Sequence, residues 1–410
     1  MSLAKANKVA VFFHRLGPYH FARLRAAGQL MAATAIEASN VDEVYCWDQV
    51  AGEDGFKRIT LCTGEAVRTL PSAELAQRVY SALDQLKPEV VVIAGWAQKE
   101  GLAGMQWCMS RQIPVVIMSD STEWDYFRVP WKEWVKRRIL GLCSAAFVAG
   151  APHLDYLVGL GMDRERIFLG FDTVDNSYFK VKSAEAKGQR EHYAAEAGLP
   201  DRYFLTTARF VQKKNLGRLI DAFGKYRQLA RERNPGDLLW SLVLVGDGPL
   251  RPELTRQIAS LGLQDSVHLT GFRQYEELPA YYGLASAFIL ASTTDQWGLV
   301  VNEAMASGLP VLVSNRCGCA RDLVREGVNG FTFDPRNTEQ MAEAMFRLAD
   351  KQSSADGLSK MGEASLEIVS GWGADRFAHG LLAAVQTALK SPCPKMGPLD
   401  ATVLKGLIYL

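Results

Sequence analysis

Two carboxylates eight positions apart, Asp295 and Glu303 in the run Asp295-Gln296-Trp297-Gly298-Leu299-Val300-Val301-Asn302-Glu303, are the residues of this chain best placed to do chemistry. The pattern predicts a loop leading into a helix over residues 299–307, with Gly308 at its C′ position and a strand over 310–314. Asp295 then lies above the helix N-terminus and Glu303 in its body. The free amides of Gly298 and Leu299, with the positive end of the helix dipole, fall between the two acids, where a phosphate can dock. A carboxylate for sugar hydroxyls, an anion site and a carboxylate for a ribose add up to a nucleotide-sugar site. The alternative is that Asp295 caps the helix and Glu303 is a solvated helix residue.

A second constellation supplies positive charge. The strand reading of residues 203–208 delivers Arg209 and Lys214 to a loop that opens a helix, with Asn215 as its N-cap and Leu216, Leu219, Ile220, Phe223 and Tyr226 on one face. A guanidinium fork and an ammonium at such a place can neutralise a pyrophosphate without a metal; solvated loop cations are the plainer reading. Gly246-Asp247-Gly248-Pro249 follows the next strand and lets backbone approach a ligand closely. Arg251 stands where a dinucleotide fingerprint has its third glycine, and no acid closes the following strand, so a nicotinamide site is not expected. Phe272 and Arg273, after that strand, could present a ring and polar groups to a nucleotide base.

The elements that must position these residues alternate along the chain. Short apolar runs at 8–13, 89–96, 114–119, 145–150 and 166–170 are separated by helical periodicity, and the pattern restarts after a polar interval with 203–208, 241–246, 266–271, 287–292 and 310–314. Two doubly wound α/β domains follow: residues 1–172, a linker region at 173–202, and residues 203–372, with a helix and tail at 373–410 that could pack back on the first domain. Ligand would be expected in a cleft between their carboxyl edges.

The 410 residues, 48% hydrophobic and 22% charged, suffice for two cores. A net charge of +1 gives no polyelectrolyte signal, so no nucleic-acid partner is expected. The seven cysteines are scattered, and Cys317 and Cys319 lack the spacing and partners of a zinc site, which fits a reduced, cytoplasmic setting. No secretory leader and no run of 18 apolar residues is present, so the expectation is neither secretion nor a membrane span. Trp131 to Leu140 reads as an amphipathic helix with a basic side: either a peripheral contact with the inner face of a membrane or an ordinary docked helix.

Taken in order, ARFVQKKNLGRLIDAF, LVGDGP, LTGF, STTDQWGLVVNEAMASGLPVLVSN and DLVREGVNGFTFDP, spanning residues 203–335, resemble the C-terminal domain of the retaining glycosyltransferases of family 4. The resemblance implies a GT-B fold, two Rossmann-like domains facing across a cleft, and metal-independent transfer, with retention, from a nucleotide-diphosphate sugar such as a UDP- or GDP-sugar. It implies that Arg209 and Lys214 hold the diphosphate, Asp295 the donor sugar and Glu303 the ribose, with no cofactor. The family usually has Glu at both ends of the motif that runs here from Asp295 to Glu303; Asp295 is one methylene shorter, which puts donor identity in doubt more than donor class.

In the first domain, Gly17 follows the first strand and could bring backbone to the donor phosphate, with His20 and Arg23 beginning the next helix. Asp120, near a position where many relatives have His, is the candidate for orienting or polarising the incoming hydroxyl, and a turn or cap is its alternative. Trp96 and Trp124 could stack on a sugar ring or belong to the core. The acceptor would be a glycan, a lipid-linked sugar or a small molecule, as in polysaccharide or glycolipid synthesis. Two rivals stand: a nucleotide-sugar epimerase of the same architecture, which needs no acceptor, and a non-catalytic nucleotide-sugar-binding protein.

Overall fold

The computed structural model describes residues 7–40, 55–64, 67–235, 239–350 and 357–409. Two compact units are present: residues 1–174 together with 374–410, and residues 175–373.

The first unit is built on seven parallel strands: β1 (Lys8–Phe13), β2 (Ala32–Ser39), β3 (Lys57–Cys62), β4 (Val90–Ala94), β5 (Val115–Ser119), β6 (Ala145–Val148) and β7 (Ile167–Leu169), in the order β3-β2-β1-β4-β5-β6-β7. The central strands read as near-continuous apolar runs because helices cover both faces. β2 and β3 fell outside the sequence reading: AATAIEAS is dominated by alanine and KRITLC carries two cations, so neither has the β-branched density that marked the others.

The second unit repeats the plan with six parallel strands: β8 (Tyr203–Thr207), β9 (Ser241–Val245), β10 (Val267–Gly271), β11 (Ala287–Leu290), β12 (Val311–Ser314) and β13 (Gly330–Phe333), ordered β10-β9-β8-β11-β12-β13. In each sheet the strand order reverses beside the first strand, at β1/β4 and at β8/β11. That topological switch is where loops leave in opposite directions and open a crevice at the carboxyl ends.

One segment differs from its sequence reading. The interval 173–202 is helical rather than a linker: Asn176–Gly188 is capped by Asp175, whose side chain accepts from the Tyr178 N–H at 3.0 Å, and Arg190–Ala197 follows. The first of these helices buries Phe179, Ser183 and Ala186 within the second unit. Its periodicity was weak because its inward stripe mixes small and polar residues, which suit close contact: a Cβ on Gly283 would lie 2.3 Å from the Ser183 carbonyl oxygen. The C-terminal helix Ala374–Lys390 belongs to the first unit, where Phe377, Leu381, Ala384 and Val385 share a core with Val116 and Phe147.

Candidate active site

The loops after β8 and β11 meet at the second unit's switch point. The Lys214 ammonium donates to Asp295 Oδ2 at 2.5 Å, and Ser292 Oγ donates to the same oxygen at 3.1 Å. Their side chains are 14% and 12% exposed, so the pair is largely but not fully removed from water. Backbone ties hold the two loops together: the Thr293 N–H donates to the Lys213 carbonyl at 2.8 Å. A third loop braces Asp295, whose N–H donates to Arg316 O at 3.1 Å and whose carbonyl accepts from Gly318 N–H at 3.0 Å. Asp295 is therefore not a helix cap; Gly298 holds the N-cap position at φ 98°, a conformation that favours glycine.

Asn215 does something different from the capping expected of it. It occupies the N-cap position of Leu216–Arg233 in the left-handed region, φ 59°, and its side chain makes no cap bond. Its amide instead donates to Ala291 O at 3.0 Å and Pro335 O at 2.7 Å, joining the ends of β8, β11 and β13. Two buried hydrogen bonds offset a left-handed backbone that costs about 1–2 kcal/mol. The signal for this was Asn itself, which tolerates that region better than other residues with a Cβ. Ser292 gave no sequence signal.

Glu303 lies in the helix Leu299–Ala306 and is fully buried, which rules out the solvated-helix alternative. Tyr282 O–H donates to its Oε2 at 2.6 Å, and Tyr282 and Thr207 hydroxyls lie 2.6 Å apart. Thr207 ends β8, so this chain of polar groups ties the carboxylate to the base of the Arg209 loop. Burial, and then the Glu303 charge, push the Tyr282 phenol well above its ordinary pKa, so it stays a donor. The amides of Gly298 and Leu299 open the same helix. Beside it, Trp297 donates to Asn302 Oδ1 at 2.9 Å and packs on Trp372 with ring centroids 5.0 Å apart. Burial raises the thiol pKa of Cys317 and Cys319 well above normal, so neither is a thiolate nucleophile.

Four other residues singled out in the second unit are divided by the structure. Arg209 is exposed in the β8 loop, and Phe272 shows 44% of its surface just after β10, as a ring offered to a base requires. Arg273 instead serves the strand end, donating to Thr270 O at 3.1 Å and lying over the Tyr281 ring at 5.7 Å. Gly246 has its N–H bonded to Gly271 O at 2.8 Å, and a Cβ built on it would sit 1.9 Å from the Ala208 carbonyl oxygen. What Gly246 lets approach is the backbone of the Arg209 loop, not a ligand. Reciprocal bonds, Phe210 N–H to Asp247 O at 2.8 Å and Leu250 N–H to Phe210 O at 3.1 Å, complete that clamp.

In the first unit, Gly17 caps Pro18–Gly28, and its N–H donates to His20 Nδ1 at 3.0 Å. That N–H is thus already committed, unlike the phosphate contact expected of it. Gly150 and His153 repeat the device at 3.1 Å. Burial and the nearby Arg23 push the His20 imidazole down to about 3, so the ring is neutral, with its hydrogen on Nε2 by the direction of the Gly17 bond. Arg23 is buried, donating to Thr173 O at 2.9 Å and Asp172 Oδ1 at 3.2 Å. Asp120 follows β5. Burial first, then Asp172 and Asp125, push its carboxyl up to about 7, against Arg23. One guanidinium serves two carboxylates, and Asp172 has the direct contact. Trp124 is half-buried, and Trp96, at the end of β4, packs edge-on to Tyr156 at 6.4 Å.

The Asp120 proton has a measurable consequence. The folded chain holds it up to about pH 7, whereas a free aspartate releases it near ~3.9. The folded state therefore binds more protons between those values, and this group's contribution to stability falls as pH rises through the window. Asp120→Asn, uncharged throughout, should melt higher than the parent at pH 8, and the difference should vanish below pH 4. Melting curves at both pH values check this; an equal shift at both would mean that charge is not the cause.

Among the described residues, no cluster of three or more His, Cys, Asp or Glu side chains is arranged to hold a metal ion. No described helix is long and apolar enough to cross a membrane.

Residues 189–365 match the family model described as glycosyl transferases group 1. The alpha-D-kanosaminyltransferase of Streptomyces kanamyceticus is 31% identical over 172 residues, 42% of each chain. The mannosylfructose-phosphate synthase of Agrobacterium fabrum is 28% identical over 260 residues, 61% of this chain and 54% of its own. The chain thus spans about half the length of these curated relatives. Anabaena Alr3699/HepE, solved in complex with UDP, superposes with a TM-score of 0.69 over 92% of this chain and 98% of its own, at 17% identity. That likeness shows the fold, and the fold is GT-B. The segment that carries Arg209, Lys214, Asp295 and Glu303 lies within residues 189–365, the part of the chain that is similar to the glycosyl transferases group 1 family.

Proposed function

We propose that this protein is a glycosyltransferase that moves a sugar from a nucleoside-diphosphate sugar to a hydroxyl acceptor, with retention and without a metal. The observation that carries this reading is the Lys214–Asp295 pair at the β8/β11 switch point, beside an exposed Arg209 and the N-terminus of the Glu303 helix. An ammonium has three N–H donors, and Asp295 takes one, which leaves donors for a phosphate. Lys214 and Arg209 bind the diphosphate and take the charge that builds on it as the glycosidic bond breaks. The amides of Gly298 and Leu299 add backbone donors to the same anion.

Asp295 orients a sugar hydroxyl and Phe272 stacks on the base; Glu303, fully buried with Tyr282 fixing its carboxylate, would have to be uncovered to meet the ribose. In this proposal Asp120, His20 and Trp124 of the first unit are the acceptor-side groups, Asp120 accepting the hydroxyl's hydrogen bond and His20 donating through Nε2. With retention, the departing phosphate oxygen takes the acceptor proton, so no protein nucleophile is needed. The names of relatives support the class: one is a kanosaminyltransferase, another an alpha-monoglucosyldiacylglycerol synthase, and the Anabaena neighbour was solved with UDP.

Thermal shift against a panel of nucleoside diphosphates and their sugars tests this, since a ligand that binds only the folded state raises its melting temperature, by about 2.7 kcal/mol of stability at a hundredfold excess over Kd. Stabilisation by one base series, undiminished by chelator and lost in Arg209→Ala, is expected. A requirement for added Mg²⁺ or Mn²⁺ would overturn the metal-free reading, and indifference to every nucleotide would overturn the donor assignment.

A further inference from the structure

We propose that the first unit docks on the surface of a bilayer containing anionic phospholipid, through residues 126–138. Four large aromatic side chains there face solvent: Tyr126 is 77% exposed, Phe127 93%, Trp131 63% and Trp134 43%. Exposed apolar residues scattered singly need no explanation, but a run of aromatics does. The helix Pro130–Leu140 already has its packed face, since Ile139 and Leu140 are buried, so the tryptophans, three apart and on one side, are not core residues.

Charge selects the partner. Residues 126–138 hold five cations, Arg128, Lys132, Lys136, Arg137 and Arg138, against one acid, Glu133, in a chain whose net charge is only +1. The acid is turned inward to a local network: Tyr156 O–H donates to Glu133 Oε2 at 2.7 Å, and the Lys136 ammonium to Oε1 at 2.9 Å. Arg128 also donates to the Tyr156 hydroxyl at 2.8 Å. Lys132 and Arg137 remain exposed beside the aromatics. Arg138 pairs with Asp400 at 2.7 Å, linking the helix to Pro398–Tyr409, where Leu399 is 51% exposed.

The result is a braced platform with aromatic rings outermost and cations among them, the layout of a segment lying in a lipid interface. A second copy of the chain fits less well, because it would bring two cationic patches together. This surface is independent of the nucleotide-binding assignment, and neither reading falls with the other.

Co-sedimentation of the full chain with vesicles tests the proposal. Binding is expected to phosphatidylcholine vesicles carrying phosphatidylglycerol, weakening with salt and much weaker on phosphatidylcholine alone. Lys132→Ala with Arg137→Ala should reduce it roughly fivefold per cation removed, the equivalent of about 1 kcal/mol each near an anionic leaflet. Phe127→Ser with Trp131→Ser should reduce it at least tenfold, roughly the effect of withdrawing one buried aromatic side chain from lipid. Both substitutions fall on exposed side chains, and unchanged melting curves confirm the fold. Absence of binding to anionic vesicles at low salt, equal binding to neutral ones, or indifference to the aromatic substitutions would overturn the proposal. So would concentration-dependent dimers, in sedimentation velocity, that the aromatic substitutions abolish, since the face would then join two copies.

Discussion

Lys214→Ala is expected to lower kcat/KM for glycosyl transfer by about 10²–10³-fold, the usual loss when one preorganised donor to a developing anion is removed. The substitution also strands Asp295. Its carboxylate, 12% exposed, keeps Ser292 but loses its cation. A fully buried pair broken in this way costs about 3–5 kcal/mol; residual solvent contact here reduces that, and a loss of about 1–3 kcal/mol is expected. The two effects separate in the double variant. Adding Asp295→Asn removes the uncompensated charge, so stability in urea recovers while turnover does not. If the double variant recovered transfer as well, Lys214 would be a structural partner of Asp295 and nothing more. If Lys214→Ala turned over normally, its role at the diphosphate would be wrong.

Gly246→Ala is expected to destabilise the second unit by about 3 kcal/mol or more, because two independent penalties add. Gly246 sits at φ 134°, which residues with a Cβ rarely adopt, and the new Cβ would lie 1.9 Å from a backbone oxygen that no rotamer change can move aside. Relief requires the β8 loop to shift, and that loop carries Arg209 and Lys214. Urea unfolding should show the lower midpoint, and KM for the donor should rise with it. A stable Gly246→Ala protein that had lost only nucleotide affinity would restore the ligand-contact role anticipated from the GDGP pattern.

These cases show which parts of the molecule were legible beforehand. The alternation of apolar strands with helices gave two doubly wound units because buried parallel strands are apolar on both faces, a pattern that survives in one dimension. β2 escaped because alanine carries little strand signal, the helix Asn176–Gly188 because only Phe179 among its buried residues is large and apolar, and Arg190–Ala197 because it buries no residue at all. Arg209, Lys214 and Asp295 could be picked out because each lies in a loop between a strand end and a helix start, where sequence patterns are strong, and Glu303 from its spacing to Asp295 in the helix that follows.

Sequence by itself determined the residue types, their order and the elements carrying them, since periodicity and turn chemistry are local properties. Only the tertiary structure decided the pairings. Lys214 meets Asp295 across 81 positions, and Glu303 meets Tyr282 across 21, because the β8/β11 switch and the packing of separate helices bring them together. The same holds for roles that changed. Asn215 became a strap between strand ends and Gly246 a seat for the Arg209 loop, because a side chain's function depends on which backbone the fold places against it. The outward-facing tryptophans at 131 and 134 make the point from the other side: periodicity shows that a helix has two faces, and only packing shows which one is covered.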